Sequence, residues 1–233
     1  MDILKNLFNG ELPKLVMFDL DGTLIDSVPD IATATDTMLL ALGQSPAGPA
    51  QVREWVGNGA ATLVARALAH AGIDADQQAQ AMTLWRAAYS LCCTRDTKLY
   101  PGARTCLQAM HQSGIHMALV TNKPVQFAQP ILQHLGIAQY FRLVLGGECV
   151  AAKKPAPDML LDAMSDAGSR PEHSLMVGDS AADISAAQAA GVRVVAVSYG
   201  YDRGAPVHTL APDLVLDDLS ALITAHPAAA DLA

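Results

Sequence analysis

Beyond Tyr100-Pro101-Gly102 the chain alternates between helical patterns and short apolar runs, and this alternation constrains the fold more than any other feature. Apolar runs at 115–120, 142–145, 174–177 and 192–197 read as strands, and 103–112, 124–135, 157–167 and 181–190 read as helices. Leu214–Leu216 and a helix at 219–225 close the series. Strands separated by helices cannot be joined by hairpins, so they pair through right-handed crossovers into a parallel sheet covered on both faces. The expected fold is α/β, a Rossmann-like doubly wound parallel sheet.

One strand stands apart. Leu15–Phe18 is short and apolar, follows Pro13 and suits a buried parallel strand. The next stretch, 28–97, shows no strand-like alternation. Patterns at 29–42 (closed by Gly43, with Ser27 as helix N-cap), 50–56, 60–71 and 75–93 carry apolar residues at three- and four-residue spacing. An all-helical block is thus inserted after the first strand. The expected organisation is an N-terminal extension (1–13), a core formed by 14–27 and 98–226, the helical insertion (28–97) and a flexible Ala-rich tail (227–233).

Ligands of open parallel sheets collect at the C-terminal ends of the strands. The first strand ends in Asp19-Leu20-Asp21-Gly22-Thr23. Residues two apart on an extended segment point the same way, and Gly22 permits a sharp turn that brings backbone N–H groups to the same spot. Carboxylates that close repel one another unless a cation intervenes, which favours a hard divalent ion such as Mg²⁺. One carboxylate could then attack an electrophile while the other carries protons. A plain Asp-Gly turn with two solvated acids would read the same in isolation.

The other strand ends are similar in kind. Thr121-Asn122 precedes a helix opened by Pro124, which fits a phosphate cradle or an ordinary helix cap. Lys153-Lys154-Pro155-Ala156-Pro157 places two of the six lysines of the chain where they could neutralise an anion or remain solvated. Gly178-Asp179-Ser180-Ala181-Ala182-Asp183 offers Asp179 as a further oxygen ligand or a helix cap, with Asp183 one helical turn later in support.

Taken in order around a helical insertion, D-L-D-G-T-L-I-D-S, T-N, K-K-P-A-P and G-D-S-A-A-D resemble the haloacid dehalogenase superfamily over nearly the whole chain. Residues 52–60, 100–102 and 212–219 are similar to its phosphoglycolate phosphatase family. The resemblance implies that Asp19 is a nucleophile forming an aspartyl-phosphate and that Asp21 is the general acid and base. It implies that Asp19, the Asp21 backbone carbonyl and Asp179 hold Mg²⁺, and that Thr121, Asn122 and Lys154 bind phosphate. Lys154 is preferred to Lys153 because the family motif puts the functional lysine directly before Pro155. The implied activity is hydrolysis of a small anionic phosphate ester, 2-phosphoglycolate, under a cap (28–97) with hinges near 26–29 and 97–102. Arg53, Arg66 and the amides of 57–59 are candidates for reading the substrate carboxylate. Another small phosphate ester remains the near alternative, with a mutase or a non-catalytic phosphate-binding protein behind it.

Composition removes other classes. With 15 basic and 23 acidic residues the net charge is −8, and no basic stripe offers a nucleic-acid surface. No stretch is long and apolar enough for a membrane span. The helical block contains no lysine, which excludes the Schiff-base chemistry of phosphonatases. The four cysteines form no C-x-x-C motif, so a cytoplasmic protein with reduced thiols is expected. The oligomeric state is left open.

Overall fold

The computed structural model describes residues 1–201 and 206–223. It opens with helix α1 (Asp2–Leu7), strands β1 (Leu15–Phe18) and β2 (Ile25–Asp26), and helices α2 (Val28–Ala41), α3 (Gly48–Arg53), α4 (Ala60–His70) and α5 (Gln78–Cys92). Strand β3 (Lys98–Leu99), helix α6 (Ala103–Gln112), β4 (His116–Val120), α7 (Val125–His134) and β5 (Leu143–Leu145) follow. The chain continues through α8 (Asp158–Ala167), β6 (Ser174–Gly178), α9 (Ala181–Ala189), β7 (Arg193–Val197) and β8 (Leu214–Leu216).

Six strands form one parallel sheet in the order β5-β4-β1-β6-β7-β8. Strand β1 lies inside it because all four of its residues are apolar and buried, leaving neither face for water. Side-chain alternation then divides the core. Val16 and Phe18 join Met117, Leu119, Leu175 and Val177 against α6 and α7, whereas Leu15 and Met17 join Ala118, Val120 and Met176 against α8 and α9. Helices on both faces make the sheet doubly wound.

Helix α2 packs along α3 and α5, and the helical block shares its apolar core with the first sheet face. Trp85 stacks on Tyr89 with ring centroids 4.8 Å apart, and both meet Phe127 of α7 edge-on. Trp85 Nε1 donates to Thr35 Oγ1 at 3.1 Å, so the indole is buried with its polar atom satisfied. The chain enters and leaves the block through β2 and β3, a two-residue antiparallel ribbon. Beside it, the buried Asp30 carboxylate accepts bonds from the Asp96 and Thr97 amides and the Thr97 hydroxyl. That clasp ties α2 to the returning strand.

Several local expectations change. Ser27 occupies the N-cap position of α2, but its hydroxyl donates to Asp21 Oδ1 at 2.5 Å instead of capping the helix. The stretch at 219–222 forms a 3₁₀ turn where an α-helix to 225 was expected; residues 224 and 225, and the tail at 227–233, lie outside the described residues. In the N-terminal extension, α1 buries Leu4 and is followed by buried Phe8. Among the described residues no helix is long and apolar enough to cross a membrane.

Candidate active site

Strand register assembles the site. Phe18 aligns with Leu119 of β4 and Val177 of β6, so the residues just beyond these partners emerge at one rim of the sheet. Asp19, Thr121, Asn122 and Asp179 are there, all buried. The loop after β5 delivers Lys154 to the same place, 2 % exposed. Its Nζ lies 2.9 Å from Asp19 Oδ1 and 2.6 Å from Asp183 Oδ1, and donates to the Val120 carbonyl at 2.7 Å. Burial alone would discharge this ammonium, but Asp183 and Asp19 outweigh it and raise its pKa.

Asp179 is held from several sides. Thr23 Oγ1 donates to Oδ1 at 2.7 Å and the Tyr201 amide to Oδ2 at 2.8 Å. Gly22, at φ +90°, passes so close that an added Cβ would sit 2.2 Å from Asp179 Oδ2, and one on Gly200 would sit 2.2 Å from Asp179 Cβ. Both positions therefore exclude a side chain. Asp183 belongs to a capping box with Ser180: its Oδ2 accepts from the Ser180 amide and hydroxyl, while Oδ1 takes Lys154. Asp183 thus orients Lys154 and fixes the start of α9.

Asp21 has different surroundings. Lys123 Nζ approaches its two oxygens at 2.9 and 3.2 Å, and the Ser27 hydroxyl completes the environment. Sequence reasoning missed Lys123, although its adjacency to Thr121-Asn122 was a usable signal. Asp19 and Asp21 both line a small cavity of about 40 Å³ with Thr121, Asn122 and Lys123. The helical block closes it with Ile31, Val56, Gly57, Gly59, Leu63 and Trp85. Asn122 Nδ2 donates to the carbonyls of Gly57 and Lys154, and Lys153 Nζ donates to the Asn58 carbonyl at 2.7 Å. Lys153 therefore contacts the helical block, whereas Lys154 contacts Asp19.

The two arginines considered for the substrate carboxylate are not among the residues lining this cavity. Arg53 donates to the Gly200 carbonyl at 3.1 Å and lies over the Tyr201 ring. Arg66 donates to the Trp55 carbonyl and Asn58 Oδ1.

Burial raises the Asp19 carboxyl from its ordinary value to about 6, with Lys154 opposing and Asp183 and Asp21 reinforcing. Burial, Asp183 and Asp19 raise Asp179 as well. Asp19, Asp179 and Asp183 each present an oxygen within 4.8 Å of the others. These three carboxyl groups face the one ammonium of Lys154, an excess of two negative charges when all three are ionised. Buried hard oxygen donors with that excess suit a divalent cation.

The haloacid dehalogenase-like hydrolase family model matches residues 13–191. The phosphoglycolate phosphatase of Pseudomonas fluorescens Pf-5 is 50% identical over 227 residues, covering 96% of this chain and 83% of that one. The phosphoglycolate phosphatase of Pseudomonas putida KT2440 is 51% identical over 223 residues, covering 94% and 82%. Among solved structures, a predicted phosphoglycolate phosphatase from Haemophilus somnus 129pt superposes with a TM-score of 0.87 at 35% identity, covering 90% of this chain and 96% of that one. With its parallel sheet and inserted helical block, the chain belongs to the haloacid dehalogenase-like hydrolases.

Proposed function

We propose that this chain hydrolyses 2-phosphoglycolate to glycolate and phosphate through an aspartyl-phosphate on Asp19. The observation that carries the reading is the setting of Asp19: a buried carboxylate, paired with Lys154 at 2.9 Å, facing a cavity that it shares with Asp21. The relatives named phosphoglycolate phosphatase support the choice of substrate.

In the first half-reaction an Asp19 oxygen attacks phosphorus and the bond from phosphorus to the glycolate oxygen breaks. Asp21, which enters the cycle protonated, gives that proton to the departing alkoxide. In the second half Asp21 removes a proton from water, the water oxygen attacks phosphorus, and the bond to Asp19 breaks, releasing phosphate and the original carboxylate. Lys154 and the Thr121 hydroxyl stabilise the charge that spreads over the phosphoryl oxygens, Asn122 secures the Lys154 loop and the Gly57 carbonyl, and Asp183 positions Lys154. Asp19, Asp179 and the Asp21 backbone carbonyl would hold Mg²⁺, which supplies charge neutralisation between the anionic nucleophile and the anionic phosphate. Residues 28–97 act as the cap that keeps bulk water out, with Ile31, Val56, Leu63 and Trp85 as its apolar wall. The cap moves about the β2–β3 ribbon. The proposal includes a cytoplasmic setting, in keeping with the free, exposed thiol of Cys149.

The test is phosphate release from 2-phosphoglycolate beside a panel of sugar phosphates and nucleotides, with and without Mg²⁺. Mg²⁺-dependent turnover with a strong preference for 2-phosphoglycolate is expected. Preference for another ester would refute the substrate, and absence of turnover on every ester would refute the hydrolase reading.

A further inference from the structure

The leaving group of the proposed reaction has a second anionic end. A carboxylate entering a small, largely apolar cavity loses hydration and must meet a cation or several donors there. Among the described residues lining the cavity, Lys123 supplies the cationic side chain. It is only 6 % exposed. Its Nζ lies 2.9 Å from Asp21 Oδ1 and 4.8 Å from the centroid of the Tyr89 ring, so the ammonium is fixed between the sheet rim and helix α5.

Arg53 and Arg66 are already engaged with backbone carbonyls away from the lining, and Lys154 sits between Asp19 and Asp183. Helix α4 adds a favourable field: its first turn carries no acidic residue, and Gly59 and Ala60 at its start line the cavity. Connectivity of the substrate adds the decisive constraint. In phosphoglycolate the carboxylate carbon is one methylene away from the bridging oxygen. The ammonium 2.9 Å from the carboxyl that would serve that oxygen is therefore the cation of the cavity lining placed beside the leaving group.

We infer that Lys123 is the specificity-determining residue that binds the carboxylate of the leaving group, so that the site selects short phosphate esters with an anionic end over neutral esters of the same length. The inference rests on the phosphoglycolate reading above.

The experiment compares kcat/KM for 2-phosphoglycolate and ethyl phosphate in wild type, Lys123→Met and Lys123→Arg, with thermal unfolding as the check on folding. Because Lys123 also contacts Asp21, both esters slow in Lys123→Met, and the reading is the ratio: loss of the ammonium predicts that kcat/KM for 2-phosphoglycolate falls about 20-fold further than that for ethyl phosphate. Lys123→Arg keeps most of the selectivity because it keeps the charge. If Lys123→Met fails to fold, Lys123→Gln is read by the same criterion. Equal losses on both esters, or unchanged selectivity, would overturn the assignment. Wild-type enzyme that turns over other esters but not 2-phosphoglycolate would overturn the substrate reading, and this inference with it, before any substitution is made.

Discussion

The rim of the sheet and the helical block contribute to the cavity in different ways. The rim supplies Asp19, Asp21, Thr121, Asn122 and Lys123, while the block supplies Ile31, Val56, Leu63, Trp85 and the backbone of Gly57 and Gly59. Charged and hydrogen-bonding side chains come from strand ends, whose mutual positions are set by ladder register. Apolar walls come from helices joined to the core through a short ribbon. In the proposed function, chemistry belongs to the sheet rim and exclusion of water to the helical block. Rim substitutions should act on turnover more than on stability, and block substitutions should do the reverse.

The largest effect is expected at Asp19. Asp19→Asn removes the proposed nucleophile with little change in shape and should lower phosphate release by at least about 10⁴-fold, with unfolding by circular dichroism still cooperative. Asp21→Asn, which abolishes proton transfer in both halves, should cost about 10²- to 10⁴-fold. Near-wild-type rates in either variant would remove the distinction between rim and block.

The adjacent lysines sharpen the comparison because one serves each region. Lys154→Ala loses the group that faces Asp19 and should lower kcat by about 10²- to 10³-fold. It should also destabilise the protein, since it leaves Asp183 without its buried partner. Lys153→Ala loses one bond to the Asn58 carbonyl and should affect KM more than kcat. A larger loss in kcat from Lys153 would reverse these roles.

On the block side, Leu63→Ala should cost about 2–5 kcal/mol in denaturant unfolding and reduce turnover less than any of the Asp19, Asp21 or Lys154 variants. A turnover loss matching that of Asp21→Asn would mean that the wall takes part in positioning the reacting atoms.

The smallest effect is electrostatic. Asp19 titrates at about 6 in the folded protein, against ~3.9 in an unfolded chain. The folded state therefore holds the extra proton between these values, and the contribution of Asp19 to stability increases as pH falls through that window. Asp179 shifts in the same direction. A divalent cation bound to the ionised pair should stabilise most near neutrality, and the gain in Tm on adding Mg²⁺ should shrink as pH is lowered from about 7.5 to about 5. A gain that grows with acidity would contradict the assignment of these carboxylates to the cation.

The same division explains what was legible in the sequence. Strands such as Ser174–Gly178 announce themselves as short apolar runs ending at Gly and Asp, and their polar termini mark the rim directly. Strands β2 and β3 are two residues each, too short to produce a periodic signal, and the Asp30 clasp that accompanies them joins residues 66 and 67 positions apart. Lys123 stands beside the legible Thr121-Asn122 motif, but its approach to Asp21 spans 102 positions and depends on how β4 sits beside β1. Arg53 and Arg66 fit the requirement for cations in the cap by residue type alone. Three-dimensional packing turns both toward backbone carbonyls instead. Local pattern thus identifies elements and their ends, whereas the partners of long side chains emerge only once the crossovers are complete.

The proposed reaction passes phosphorus through Asp19. Acid quenching during turnover of 2-phosphoglycolate, followed by borohydride reduction and peptide mass spectrometry, would reduce an acyl phosphate at that position to homoserine. Homoserine is expected at position 19 in the wild type and not in Asp19→Asn; turnover that yields no reduced residue, or yields it at Asp21 or Asp179, would rule out an aspartyl-phosphate on Asp19.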